Sequence, residues 1–406
     1  MKKAVLAIAL LAIGLIVSPV RVHAQSGSLG GDVTWRFSGG TLTISGNGPM
    51  PVSFPASVPP WESVKNQITS VVIEDGVTSL PNGGFANCPQ LTQVTIGKGV
   101  TELPGAVFAR SGITSITIPE QIASIDLGAF DGANRLETVY FNAVNCADFA
   151  PVLVPPLFHN TVTPALKTVV IGDAVRKIPA YTFTGATAVT SVTIGSGVTE
   201  IGRHAFRNCA SLRSIVIPDN VNMLGNSAFS DCRALASVTL GSGLSQIGNG
   251  AFMNTAITEI TIPEGVNEIE GAAFSGSTRL KTVYWNATAA NDLSSTHAHF
   301  RDCNAIEEII IGDNVRQIPA WAFPYLPSLE KVTIGSRVTR IGNQAFYGSE
   351  GLTEIVSKAA RPPQLGSMHP FYGLDQSWIT LEVPATAQSI SAYKSAAVWK
   401  DFKFNQ

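Results

Sequence analysis

Few side chains in this sequence of 406 residues have the types and spacing that chemistry needs. His297-Ala298-His299, followed by Asp302 and Cys303, is the one cluster of metal-ligand residues. Two histidines at i and i+2 on an extended segment share a face and could hold a zinc-like ion. His299 and Cys303 also fall in slots that a repeat fills structurally, so neither a metal nor a cofactor is expected. No G-x-S-x-G elbow, H-E-x-x-H pair, phosphate-binding loop or dinucleotide fingerprint occurs, and an enzyme is not expected. What remains for recognition is aromatic: Tyr140 with Tyr284, and Tyr181 with Trp321.

The elements that position these residues follow from a repeat. Leu212 to Ala234 reads LRSIVIPDNVNMLGNSAFSDCRA, and its skeleton returns about every 23 residues. A fixed period in this range marks a solenoid. Clear copies start at Ile68, Leu91, Ile113, Leu166, Val189, Leu212, Leu235, Ile257, Ile306 and Leu329, with a degenerate one at Leu352. Those starting at Leu136 and Leu280 carry insertions, roughly Val144 to Pro164 and Thr288 to Asn304. Each copy opens with apolar residues alternating with polar ones, the period of a strand with one buried face. Gly or Pro then ends the strand in a turn.

Phe holds the eighteenth position in nearly every copy. Thirteen of the nineteen Phe, from Phe85 to Phe371, form one ladder of packed rings. One coil buries too few apolar groups to offset the ordering of its backbone, so stacking is what stabilises each.

A second level of duplication relates LETVYFNA at 136–143 to LKTVYWNA at 280–287, and IGDAVRKIPAYTF at 171–183 to IGDNVRQIPAWAF at 311–323. It pairs Tyr140 with Tyr284 on outward strand positions, and Tyr181 with Trp321 on a turn. Each strand tyrosine either packs beneath its own inserted loop or makes a paired contact with a protein or glycan. Loops on a rigid scaffold are favoured binding places.

Four of the five cysteines, Cys88, Cys209, Cys232 and Cys303, lie three residues after a ladder Phe, where sister copies have Ala, Ser or Thr. This is a small buried slot, and free Cys suits it. Cys209 and Cys232 sit in adjacent coils and could approach bridging range. Cys146, in the first insertion, is the candidate exposed thiol.

The repeat resembles that of the BspA-like bacterial surface-antigen group of leucine-rich-repeat proteins. It departs from the ordinary leucine-rich repeat because Gly or Pro follows the strand and no Asn ladder is visible. The resemblance implies a β-rich α/β solenoid, a right-handed superhelix with an N-terminal β-hairpin cap and a C-terminal strand-helix cap. The family's closing elements match Val383-Pro384, Ala392-Tyr393-Lys394 and Trp399-Lys400-Asp401-Phe402.

Lys2 and Lys3, the apolar run from Ala4 to Val20 and Val22-His23-Ala24 read as a signal peptide over residues 1–24. Residues 25–67 read as the N-terminal cap, 68–358 as the solenoid, and 359–406 as a degenerate last repeat with the C-terminal cap. In the first cap, Asp32–Phe37 and Thr41–Ile44 form a hairpin, and Trp35 and Trp61 cover the first coil or stack on a glycan. Removing residues 1–24 leaves 24 basic and 29 acidic residues, a formal charge of −5. No basic block occurs, so a nucleic-acid partner is not expected. No second apolar run approaches the roughly 20 residues a membrane crossing needs.

The resemblance implies an exported or surface-attached module that binds host or neighbouring-cell proteins. A glycan-binding accessory protein and a structural envelope component are the alternatives. Tyr140, Tyr284, Tyr181 and Trp321 are the candidate binding residues.

Overall fold

A computed structural model describes residues 24–54, 58–149, 156–292 and 298–405. The expected signal peptide lies outside the described residues, except for Ala24. The chain winds as a β-solenoid, as the period requires. Successive copies lay their first strands side by side in parallel: Val139 of 138–141 pairs with Ile116 on one side and Val169 on the other. A second row of two-residue strands runs behind it, from Lys177–Ile178 through Glu200–Ile201, Met223–Leu224 and Gln246–Ile247 to Glu268–Ile269.

The first row is interrupted between 93–95 and 115–118, between 191–193 and 214–216, and between 237–239 and 259–262. Two of these breaks coincide with the copies Leu91–Gly112 and Leu235–Ala256, which have 22 residues.

The third side of each coil is the Ala-Phe turn, and the Phe ladder stands behind it. Consecutive ring centroids from Phe85 to Phe371 are 5.2–5.9 Å apart. The turn is shaped by left-handed residues two before and two after the Phe, such as His204 and Asn208 around Phe206 and Ser227 and Asp231 around Phe229. Gly fills these positions in some copies, at Gly250 and Gly276 for example, because it adopts positive φ without steric cost. The turn backbone is itself paired from coil to coil: Phe183 donates to the Ala205 carbonyl at 2.8 Å and Phe206 to that of Ala228 at 2.8 Å.

On the turn after the first strand an aspartate takes up the connecting role. The Asp173 carboxylate accepts from the Ser196 amide at 2.8 Å, Asp219 from Ser242 at 2.7 Å, and Asp313 from Ser336 at 2.8 Å. Each bond spans 23 residues, one full coil. Carboxylates thus join neighbouring coils in part of the stack, and those bonds hold them below the usual range.

Both ends are closed. Val33–Ser38 and Thr41–Ser45 form the expected hairpin, and Gln25–Gly30 adds a third antiparallel strand that the Gly- and Ser-rich sequence does not announce. Thr41–Ser45 then pairs in parallel with Ser70–Ile73 of the first coil. Trp61 is fully buried and Trp35 nearly so, which rules out the glycan-stacking role for either. At the far end Thr380–Glu382 and Lys403–Phe404 extend the first row. The only α-helix among the described residues, Ala387–Ser395, starts at Thr386, whose Oγ1 accepts from the Ser389 amide at 3.1 Å.

Candidate functional site

Because strand side chains alternate, half of every first strand faces the core and half faces outward. The outward half forms two rows. One carries Thr117, Tyr140, Val170 and Thr193 in register, then Val216 and Thr239, then Thr261, Tyr284, Ile310, Thr333 and Val356. None of these is buried and none carries a charge. Its parallel neighbour is polar and partly charged, with Ser191, Ser214, Glu259, Glu308, Lys331 and Glu354. At about 4.8 Å per strand, the eleven strands named span roughly 50 Å of exposed, uncharged surface.

Tyr140 and Tyr284 both stand in this row, six coils apart. Tyr140 is 42% exposed and Val216 64%. The described parts of the inserted loops are tied down elsewhere. Asp148 accepts from the Ala180 amide at 2.9 Å and its counterpart Asp292 from that of Ala320 at 2.7 Å. Those amides follow the second strand row, so Asp148 and Asp292 are anchored behind the tyrosines' sheet. Phe141 and Trp285, their neighbours, are core residues.

The other candidate pair is on the turn side, and its members have different surroundings. Tyr181, at φ 63°, stacks on His204 at 4.8 Å, with the Arg203 guanidinium 5.3 Å from its ring centroid and donating to its hydroxyl. Burial and the neighbouring Arg207 and Arg203 push His204 down to about 4. Trp321, at φ 56°, meets the edge of Tyr347 at 5.7 Å. Tyr325 and Tyr372, which the sequence reading passed over, also pack on Tyr347, at 5.1 and 5.8 Å. The signal was present as two Tyr one residue after a ladder Phe, at 347 and 372, and one two residues after, at 325.

Of the histidine and cysteine cluster, His299 and Cys303 are buried in the repeat. His297 lies outside the described residues. His299 is buried in the slot before Phe300, and burial lowers its pKa to about 3. The Cys303 thiol donates to the Phe274 carbonyl at 3.0 Å and is raised to about 12 by burial. No group of three metal-ligating side chains occurs among the described residues. Cys209 and Cys232 are free and fully buried, each thiol donating to a ladder carbonyl, Phe183 at 3.4 Å and Phe206 at 3.2 Å. Cys146 is only partly exposed, and burial raises its thiol to about 11.

Among the described residues no helix is long and apolar enough to cross a membrane. A family model described as BspA type leucine-rich repeat region matches in six copies, over residues 63–148, 156–281 and 293–393. No curated protein matches. Solved structures with similar winding include a leucine-rich-repeat protein from Eubacterium ventriosum, 20% identical, covering 86% of this chain and 95% of that one with a TM-score of 0.38. Another is from Bacteroides ovatus, 16% identical, with 93% and 99% coverage and a TM-score of 0.43. A leucine-rich cell-surface protein from Faecalibacterium prausnitzii is 18% identical, with 91% and 97% coverage and a TM-score of 0.32. With its repeat, its stacked coils and a family match over most of its length, the chain belongs to the BspA-type leucine-rich-repeat family.

Proposed function

We propose that this protein is an exported surface module that binds a protein partner on the outward face of its first strand row. The observation that carries this reading is the uncharged row through Tyr140, Val216 and Tyr284. A stripe free of charge and bordered by polar residues has the layout of a protein interface: desolvating Thr, Val, Ile and Tyr costs little, and the rim stays wet. Tyr140 and Tyr284 are its anchors, since tyrosine brings a large contact area and a hydroxyl at low entropic cost. The expected signal peptide and the family's surface-protein character support an extracellular partner, on a host or neighbouring cell.

The test is binding of the purified protein to an array of extracellular-matrix and cell-surface proteins, beside the Tyr140→Ala/Tyr284→Ala variant. Micromolar or tighter binding that weakens at least tenfold in the variant is the expected result. Equal binding by both proteins would remove the sheet face from the reading.

A further inference from the structure

The four aromatic residues on the turn side form a cluster that the fold does not require. Tyr347 is its centre: Trp321 and Tyr325 meet it edge to face at 5.7 and 5.1 Å, and Tyr372 stacks on it at 5.8 Å. Tyr325 and Tyr372 are 55% and 62% exposed. Tyr325 lies across Gly348, where a Cβ would stand 3.0 Å from its ring. Beside Tyr325 opens a groove of about 640 Å³, walled by Pro324 and Pro327 and edged by Arg301, Asp302, Asn304 and Glu350.

The internal duplication supplies a control. At the matching turns of the first block the chain has Gly185 for Tyr325, Arg207 for Tyr347 and Ser230 for Tyr372. Those coils stack equally well, with Phe183, Phe206 and Phe229 at 5.3 Å intervals. Tyr325 even occupies a left-handed position, φ 56°, where glycine fits without strain. Packing and folding therefore do not account for the aromatic residues in the second block.

We infer that this groove and its aromatic shelf form a carbohydrate-binding site for a neutral oligosaccharide. A sugar ring offers an apolar C–H face and an edge of hydroxyls. The exposed tyrosine rings suit the first, and the forked Arg301, Asn304 and carboxylate groups suit the second. Arg301, Asp302 and Glu350 together bring one positive and two negative charges, a balance that disfavours an anionic ligand. The amides of Trp321, Phe323 and Tyr325 already donate to the carbonyls of Asn343, Ala345 and Tyr347, so this stretch of turn backbone is not free to pair with a peptide strand. This site is separate from the sheet face proposed above, and neither reading depends on the other.

The experiment is a printed array of neutral and sialylated oligosaccharides probed with the purified protein, followed by calorimetric titration of the strongest neutral responder. Tyr325→Gly and Tyr347→Arg install the residues of the first block, and Tyr140→Ala/Tyr284→Ala serves as the sheet-face control. A neutral oligosaccharide should bind, each turn-face variant should lose at least tenfold in affinity with its melting temperature retained, and the sheet-face variant should bind normally. Silence towards neutral sugars, binding confined to sialylated ones, or full affinity in Tyr325→Gly would overturn the assignment. Should Tyr347→Arg fold poorly, Tyr325→Gly decides alone, since glycine relaxes that backbone.

Discussion

The indole of Trp61 lies 5.6 Å from the ring of Phe85 with the two planes 11° apart, so the first rung of the phenylalanine ladder is a tryptophan supplied by the N-terminal cap. Trp35 and Phe54 pack edge-on against it at 6.0 and 5.2 Å. At the other end Trp399 and Phe402 meet Phe371 edge to face, at 5.9 and 5.3 Å. A stack of rings has two exposed faces unless something covers them, and here each is covered by aromatic side chains from outside the regular repeat.

Trp61→Ala should therefore cost as much as a mid-ladder deletion such as Phe229→Ala, about 3–5 kcal/mol each. Chemical denaturation checks the magnitudes. The two differ in aftermath: Trp61→Ala uncovers the end of the stack and should promote self-association, visible in light scattering, whereas Phe229→Ala leaves an internal cavity.

His299 gives the fold an acid limit. Its folded pKa is lowered to about 3 by burial, against about 6.5 in the unfolded chain. Below 6.5 the unfolded chain takes up a proton that the native one does not. Stability from this residue is thus complete above pH 6.5 and is lost as pH falls towards 3. The melting temperature should drop across that window, and His299→Ala, which restores the residue of sister coils, should flatten the drop. An unchanged acid profile in the variant would show that the ring is accessible to protons.

The carboxylates of Asp173, Asp219 and Asp313 act lower on the pH scale. Their folded pKa values lie below the usual one, so their contribution is present above about 3.9 and disappears as pH falls through the folded values. Asp→Asn at all three keeps an oxygen acceptor for the next coil's amide and removes the titration. The triple variant should melt near wild type at pH 7 and lose less between pH 4 and 2, measured by circular dichroism.

Thiol chemistry in the native state should be slow at Cys146 and silent at the other four cysteines. Burial raises Cys88, Cys232 and Cys303 to about 12 and Cys146 to about 11, and Cys209 well above its ordinary value. At pH 8 a chromogenic disulfide reagent should label Cys146 slowly and the other four only after denaturation. Reductant should not change the melting temperature, because Cys209 and Cys232 are unbridged.

Much of the fold could be read from the chain because the period repeats its evidence: each strand, turn and ladder Phe is stated a dozen times. Trp61 was legible as a cover of the first coil but not as the first rung of the ladder, since it joins from a stretch outside the period. The left-handed columns stayed hidden because Tyr181, His204, Ser227 and Trp321 share them with Gly250, so no single residue type marks the conformation. Tyr140 and Tyr284 were visible as outward residues, but the row they join emerges only when Thr, Val and Ile from separate copies line up across strands. The cluster around Tyr347 was missed, Trp321 apart, because its members come from three coils at three different offsets from the Phe.

The most direct test of sheet-face binding is to place charge in the uncharged row. Thr193→Arg/Val216→Arg alters two solvent-facing side chains on neighbouring first strands and leaves the ladder untouched. Measured by surface plasmon resonance against the partner selected from the protein array, this variant should bind at least tenfold more weakly with its melting temperature preserved. The same charges at Asn254 and Thr278, both exposed on the turn side, should leave binding intact. Full affinity in the row variant, or loss in the turn-side one, would contradict the account.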